Sequence, residues 1–255
     1  MERIESVNNK IIKFTNSLKM KKFRKQEGLF ICEGERLVFD AIEYKEPSYI
    51  IVSENFYKKD FPYKTYEVTE SIFKKLSETV SPQGIMAVFK TDVKNIEDIT
   101  PCNTVILNRL QDPGNLGTIL RTAKAAGFNN IILDSECVDI YNAKTVRSSM
   151  SALFNLNIFI SSSLKEDIIS LKTKGFTVIG TVLDSDSVNL YKENFDGPVA
   201  FIIGNEASGM DKDLAEYCDK KVIIPMEEGI ESLNASVAGS IVMYEILRRQ
   251  KYENG

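Results

Sequence analysis

Asn108-Arg109-Leu110-Gln111-Asp112-Pro113-Gly114-Asn115-Leu116-Gly117-Thr118-Ile119-Leu120-Arg121-Thr122-Ala123-Lys124-Ala125-Ala126-Gly127 lies between two apolar runs, residues 104–107 and 130–133. The order is strand, loop, helix, strand. The chain enters the helix through Pro113, Gly114 and Asn115, and Leu116, Ile119, Leu120 and Ala123 share one arc that faces a sheet. Outward from here the alternation continues, with strands expected at 156–160, 176–181, 199–203 and 222–224 and a final long helix near 233–250. Their near-continuous Ile/Val content points to strands buried on both faces, as in a parallel sheet. The second half therefore reads as an open, doubly wound α/β domain whose ligand lies beyond the carboxyl ends of the strands.

The first 90 residues are built from shorter units. An amphipathic helix is expected at 6–19, with Val7, Ile11, Phe14 and Leu18 inward, and further helices at 34–44 and 70–76. Strands are expected at 28–32, 49–52, 65–68 and 85–89. These make a small α/β domain with one sheet. Residues 90–103 are polar, include Pro101 and serve as the linker, dividing the chain into domains 1–98 and 103–255.

The chain contains no histidine. That excludes Ser-His-Asp and Cys-His catalysis, histidine general bases and most transition-metal sites. Chemistry here must use carboxylates, Arg, Lys, Asn, Ser, Tyr or a cofactor. Cys32, Cys102, Cys137 and Cys218 are scattered without a Cys-x-x-Cys pair, which argues against zinc and disulfides and suits a reducing cytosol. No apolar run approaches the roughly 18 residues of a membrane span, and Met1-Glu2-Arg3-Ile4-Glu5 lacks a signal-peptide core. The cytoplasm is the expected location. A net charge of −4 does not favour nucleic acid, but its distribution does. Residues 6–26 carry Lys10, Lys13, Lys19, Lys21, Lys22, Arg24 and Lys25 and no acid. Such a patch binds phosphates locally, because salt confines electrostatic reach to about 10 Å. An ordinary solvated surface is the alternative reading.

Two more segments stand out. Phe201-Ile202-Ile203-Gly204-Asn205-Glu206-Ala207-Ser208-Gly209-Met210 is a buried strand ending in a glycine-punctuated turn. Gly204 would let a flat ligand approach the backbone, and Glu206 is either functional or a helix N-terminal carboxylate. Ile223-Ile224-Pro225-Met226 leads through Gly229 to Ser232-Leu233-Asn234-Ala235-Ser236-Val237-Ala238. Ser232 suits an N-cap, placing Asn234 in the first helical turn, and Ala235, Ala238 and Gly239 allow close helix packing. The Asn115–Arg121 segment alone is equally readable as a capped core helix with an exposed arginine. It carries neither Gly-x-Gly-x-x-Gly nor a P-loop, which disfavours a nucleotide-binding oxidoreductase.

Taken together, in order and at their spacing, the three segments resemble the SpoU/TrmH family of RNA ribose 2'-O-methyltransferases. The shared features are the Asn…Arg-Thr helix, the Gly-x-Glu-x-x-Gly turn and Ile-Pro-Met…Ser-Leu-Asn-x-Ser. The first domain resembles that family's substrate-binding domain in Lys22-Phe23-Arg24-Lys25-Gln26-Glu27-Gly28-Leu29-Phe30-Ile31-Cys32-Glu33-Gly34 and in Pro82-Gln83-Gly84-Ile85. Ala235 departs from it, standing where the family often has valine.

The resemblance implies a SPOUT-type parallel-sheet domain with a trefoil knot, a homodimer, and S-adenosylmethionine as methyl donor. It implies donor binding by Gly204, Ile224 and Leu233 with Thr181 and Met226 beside them, and catalysis by Asn115, Arg121, Glu206, Ser232 and Asn234. The expected substrate is RNA, with 23S ribosomal RNA ahead of transfer RNA because of the extra N-terminal domain. Lys21, Lys22, Arg24 and Lys25 are expected to grip its phosphates. Family precedent gives Arg121's position the role of base. Lowering an arginine pKa from about 13 to about 7 costs roughly 8 kcal/mol, so the alternative is a charged Arg121 that binds phosphate and stabilises the forming alkoxide. A non-catalytic RNA-binding or ribosome-assembly factor on the same scaffold is the rival from another class. It has no evident need for Asn115, Arg121, Glu206 and Asn234 together.

Overall fold

The computed structural model describes residues 1–57, 60–182, 186–229 and 232–253. In chain order they form β1 (Glu2–Ile4), α1 (Lys10–Ser17), α2 (Lys21–Glu27), β2 (Leu29–Glu33), α3 (Glu35–Ile42), β3 (Tyr49–Ser53), β4 (Thr65–Val68), α4 (Glu70–Leu76) and β5 (Ile85–Lys90). Then come β6 (Val93–Lys94), β7 (Thr104–Leu107), α5 (Pro113–Ala125), β8 (Asn130–Asp134), α6 (Ala143–Ser149), β9 (Asn157–Ser161), α7 (Leu164–Thr173) and β10 (Thr177–Thr181). The last are β11 (Val188–Asn189), β12 (Val199–Ile203), α8 (Lys212–Ala215), β13 (Lys220–Ile223) and α9 (Ala235–Arg248). One compact unit comprises Met1–Thr91 with Asp139–Phe154, and the other Asp92–Val138 with Asn155–Gly255.

The first unit holds a sheet of order β1-β4-β3-β5-β2. β1, β4 and β3 run parallel, while β5 is antiparallel to β3 and β2. Ile51, Tyr66, Met86 and Val88 form one core with Ile12 and Leu18 and with Ile72, Phe73 and Leu76 of α4. The first helix starts at Lys10 rather than at residue 6, because Asn9 Oδ1 accepts from Ile11 N at 2.8 Å and caps it. The basic run is itself helical in part: α2 is closed by Gly28 in the left-handed conformation.

Asp139–Phe154 belongs to this unit because its side chains complete the unit's interior. Arg24 Nε and Nη2 donate to Asp139 Oδ2 at 2.9 and 2.6 Å, and Nη1 donates to the carbonyls of Leu18 and Lys19. The Phe30 ring lies 4.6 Å from Tyr141 and 5.9 Å from Phe154. The expectation that Arg24 grips RNA is therefore corrected. It is 6% exposed, and its donors are spent inside the unit. Lys21, Lys22 and Lys25 of the same helix are exposed.

The second unit is a parallel sheet of order β11-β13-β10-β12-β7-β8-β9-β6, every described pairing being parallel. Alternate residues are buried on opposite faces, as the Ile/Val runs require. Ile106, Ile132, Phe159, Val178 and Ile202 pack with Ile168 and Leu171 of α7. On the other face, Ile203 and Ile119 approach Gly239 of α9 so closely that a Cβ there would lie 2.5 Å from Ile203 Cδ1. Ser240 Oγ of α9 hydrogen-bonds Thr122 Oγ1 of α5 at 3.2 Å. The small residues noticed in the sequence thus seat α9 against the sheet and α5.

Candidate active site

β7 and β12 are neighbours, with Ile106 opposite Ile202 and Leu107 opposite Ile203, so the loops that follow them meet at the sheet's carboxyl edge. After β7, Asp112 caps α5: its Oδ1 accepts from Asn115 N at 2.8 Å, and Pro113 fills the first helical position. An Asp-Pro pair at a helix start was a readable signal for this cap. After β12 the chain folds into a narrow turn in which Asn205 and Gly209 exchange two backbone hydrogen bonds of 2.9 Å. Gly204 is required by the packing of the turn itself, whatever ligand approaches it from outside. A Cβ on it would sit 2.1 Å from Met210 N and 2.2 Å from the Gly209 carbonyl carbon.

The turn presents Glu206. Its carboxylate accepts from Gln111 N at 3.1 Å, Asp112 N at 3.0 Å and Asn115 Nδ2 at 3.1 Å. Burial pushes this carboxyl upward, but the bonds from Asp112, Asn115 and Gln111 outweigh it and hold the pKa below its ordinary value. At α9 the N-cap is Asn234, not Ser232. Asn234 Oδ1 accepts from Ser236 N at 2.9 Å, Ser236 Oγ at 2.7 Å and Val237 N at 3.3 Å. Asn234 Nδ2 then donates to Asn115 Oδ1 at 3.0 Å. The directions are fixed along the row. An ionised carboxylate only accepts, so Asn115 must offer its NH2 to Glu206 and its oxygen to Asn234. Asn234 in turn must offer its oxygen to the helix N–H groups. Three motifs from distant parts of the chain are joined by two amides.

Arg121 is not part of this row. It stands on α5 six residues beyond Asn115, about 9 Å along the axis and roughly 120° around the helix. It is exposed and has no hydrogen-bond or ion-pair partner among the described residues. Ser232 is exposed two residues before the Asn234 cap. The residues expected to hold the donor gather differently. Thr181, Gly204 and Ile224 follow or end the adjacent strands β10, β12 and β13, and Thr181 Oγ1 donates to Ile202 O at 2.8 Å. Ile224, Met226 and Leu233 are half-buried. The backbone of 224–229, Ser232 and Leu233 makes no hydrogen bond to other backbone among the described residues. Asn205 and Ser236, which brace the turn and the α9 start, were quoted within the motifs but given no role of their own from the sequence.

The depressed Glu206 pKa has a measurable consequence. The carboxylate contributes stability above the unfolded-state value of about 4.3, and this is lost as pH falls through the lower folded value. Denaturant stability followed from pH 7 downward should show this acid loss, and Glu206→Gln should flatten it. An unchanged acid limb in the variant would refute the assignment.

Residues 103–244 match the SpoU rRNA Methylase family, and residues 9–87 match the MRM3-like substrate binding domain. The 23S rRNA (guanosine(2553)-2'-O)-methyltransferase RlmP of Bacillus subtilis (strain 168) is 33% identical over 257 residues, covering 96% of this chain and 99% of its own. The mitochondrial rRNA methyltransferase 3A of Danio rerio is 28% identical over 96% of this chain and 69% of its own. The crystal structure of an AdoMet-bound rRNA methyltransferase from Sinorhizobium meliloti superposes with a TM-score of 0.87 at 30% identity, covering 98% of both chains. The resemblance drawn from the motifs holds across both halves of the sequence. The chain belongs to the SpoU rRNA methylase family.

Proposed function

We propose that the chain transfers a methyl group from S-adenosylmethionine to a ribose 2'-hydroxyl of ribosomal RNA, with 23S rRNA, the substrate named for RlmP, as its target. The observation that carries this is the Glu206–Asn115–Asn234 row, which draws the three motifs to one edge of the sheet. A pure RNA binder has no need of it.

The donor residues fit their ligand. Backbone donors and acceptors at Ile224, Met226 and Leu233, which make no bond to other backbone among the described residues, can meet the edge of an adenine, and their half-buried apolar side chains can flank its faces. When bound, the donor supplies a methyl already activated on a sulfonium. The chain's own task is then to hold a ribose oxygen in line and to manage its proton and charge. Glu206 fixes the start of α5, Asn115 and Asn234 set the neighbouring polar wall, and Arg121 offers a cation to an RNA phosphate and to the forming alkoxide. Ser232 is assigned to this reading as a further hydroxyl contact.

The remaining elements of this reading are a division of labour between an RNA-binding part, expected at 1–98 but joined in the fold by Asp139–Phe154, and a catalytic part formed by the rest of 103–255, together with a trefoil knot, a homodimer and a cytoplasmic location. The two family matches support the division. Passage of the chain from β12 across β10 to β13, followed by the return of α9 to α5, supports the knot. Exposed Val237 and Tyr244 on α9 support pairing of two copies. No helix among the described residues is long and apolar enough to cross a membrane.

Calorimetry with S-adenosylmethionine, followed by methyl transfer to bulk rRNA and bulk tRNA, tests the function. A protein that takes up no donor ends the proposal, and transfer to tRNA alone redirects it. Lys21, Lys22 and Lys25 are assigned to RNA phosphates. Changing all three to alanine should lower RNA affinity and reduce the slope of log affinity against log salt by up to about 2, at roughly 0.7 per lost contact. Donor affinity should not move. Unaltered RNA affinity would remove these lysines from the interface.

A further inference from the structure

Arg109 has a left-handed backbone, φ +54°, which disfavours any residue with a Cβ. Three groups hold it there. Its N–H donates to Asp134 Oδ2 at 2.7 Å, and its carbonyl accepts from Asn205 Nδ2 at 2.8 Å and Gln111 Nε2 at 3.2 Å. Its guanidinium pairs with Asp211 Oδ1. Asp211 is fixed in turn by buried Asn108, whose Nδ2 donates to Asp211 Oδ2 at 3.1 Å and to Asp134 Oδ2 at 3.0 Å, and whose Oδ1 accepts from Asp211 N at 3.0 Å.

This hub touches both sides of the site. Two and three residues after Arg109 are the Gln111 and Asp112 N–H groups that hold the Glu206 carboxylate. Asn205, which grips the Arg109 carbonyl, immediately precedes Glu206. Asp211 closes the far end of the same turn. Glycine would adopt this backbone without strain, so the presence of arginine calls for a role of its side chain.

We infer that Arg109 is a positioning residue for methyl transfer. Its ion pair with Asp211 sets the loop before α5 against the Glu206 turn, and so sets the Glu206–Asn115–Asn234 row. This rests on the function proposed above. The Glu206 titration described below does not, and it separates failure of one from failure of the other.

The test is Arg109→Gly, which removes the ion pair and relieves the backbone, beside Asp211→Asn and the double variant. Thermal stability of Arg109→Gly should equal or exceed that of the parent. Its kcat for rRNA methylation should fall about tenfold, with KM for the donor unchanged. Asp211→Asn should show a similar fall, and the double variant no further one, since both remove the same interaction. Independently of any activity, the Glu206 carboxyl followed by carbon NMR should titrate closer to its ordinary value in Arg109→Gly than in the parent. If Arg109→Gly keeps kcat within twofold and leaves the Glu206 titration in place, the inference is wrong. If the parent protein shows no methyl transfer, the titration alone decides it.

Discussion

Replacing Arg121 with alanine is expected to slow methyl transfer by about 10²- to 10³-fold, the cost of removing one charge-stabilising group from a transition state, or roughly 3–4 kcal/mol. The side chain is exposed and unpartnered among the described residues, so its removal should leave thermal stability and donor affinity unchanged. That combination separates a chemical role from a structural one. Arg121→Lys then addresses the nature of the role. Lysine keeps the charge but loses the fork that pairs with phosphate. Turnover near normal with weaker RNA binding would show that no guanidine base is required. A loss as deep as that of alanine, at saturating RNA, would favour the base.

Gly204→Ala should be the most damaging small substitution in the protein, costing on the order of 3 kcal/mol or more in denaturant unfolding. The added Cβ would meet backbone, at 2.1 Å from Met210 N, and backbone cannot rotate away as a side chain can. Moving the turn would break the paired Asn205–Gly209 hydrogen bonds and withdraw Glu206 from Gln111 and Asp112, so methyl transfer should fail with stability. Gly209→Ala is the control. Its φ is +70° with no atom within 4 Å of a Cβ, so it should cost only about 1 kcal/mol of backbone strain. Equal stabilities for the two variants would overturn this account of Gly204.

The parallel sheet was legible because burial on both faces leaves a mark in each strand separately: residues 105–107, 131–133 and 199–203 are unbroken apolar runs. Asn115, Glu206 and Asn234 were legible as a set only through the ordered motifs and the family resemblance they carry. What stayed hidden was relational. Arg24 reads like any lysine neighbour until Asp139, 115 residues away, is brought to it. Ser232 and Asn234 are both good caps, and the choice fell to Asn234 because its NH2 also finds Asn115, 119 residues distant. The left-handed turn at Arg109 has no local signal, since the residue type argues against it.

The excursion of Asp139–Phe154 into the first unit bears on biosynthesis. That unit cannot finish its interior when Thr91 emerges from the ribosome. It must await Phe154, another 63 residues, which at about 5–20 residues per second is roughly 3–13 s. Until then Phe30 lacks the Tyr141 and Phe154 rings, and the Arg24 guanidinium lacks its carboxylate. For that interval the amino-terminal portion lacks these contacts of its finished interior. Its maturation is tied to translation of the segment between β8 and β9.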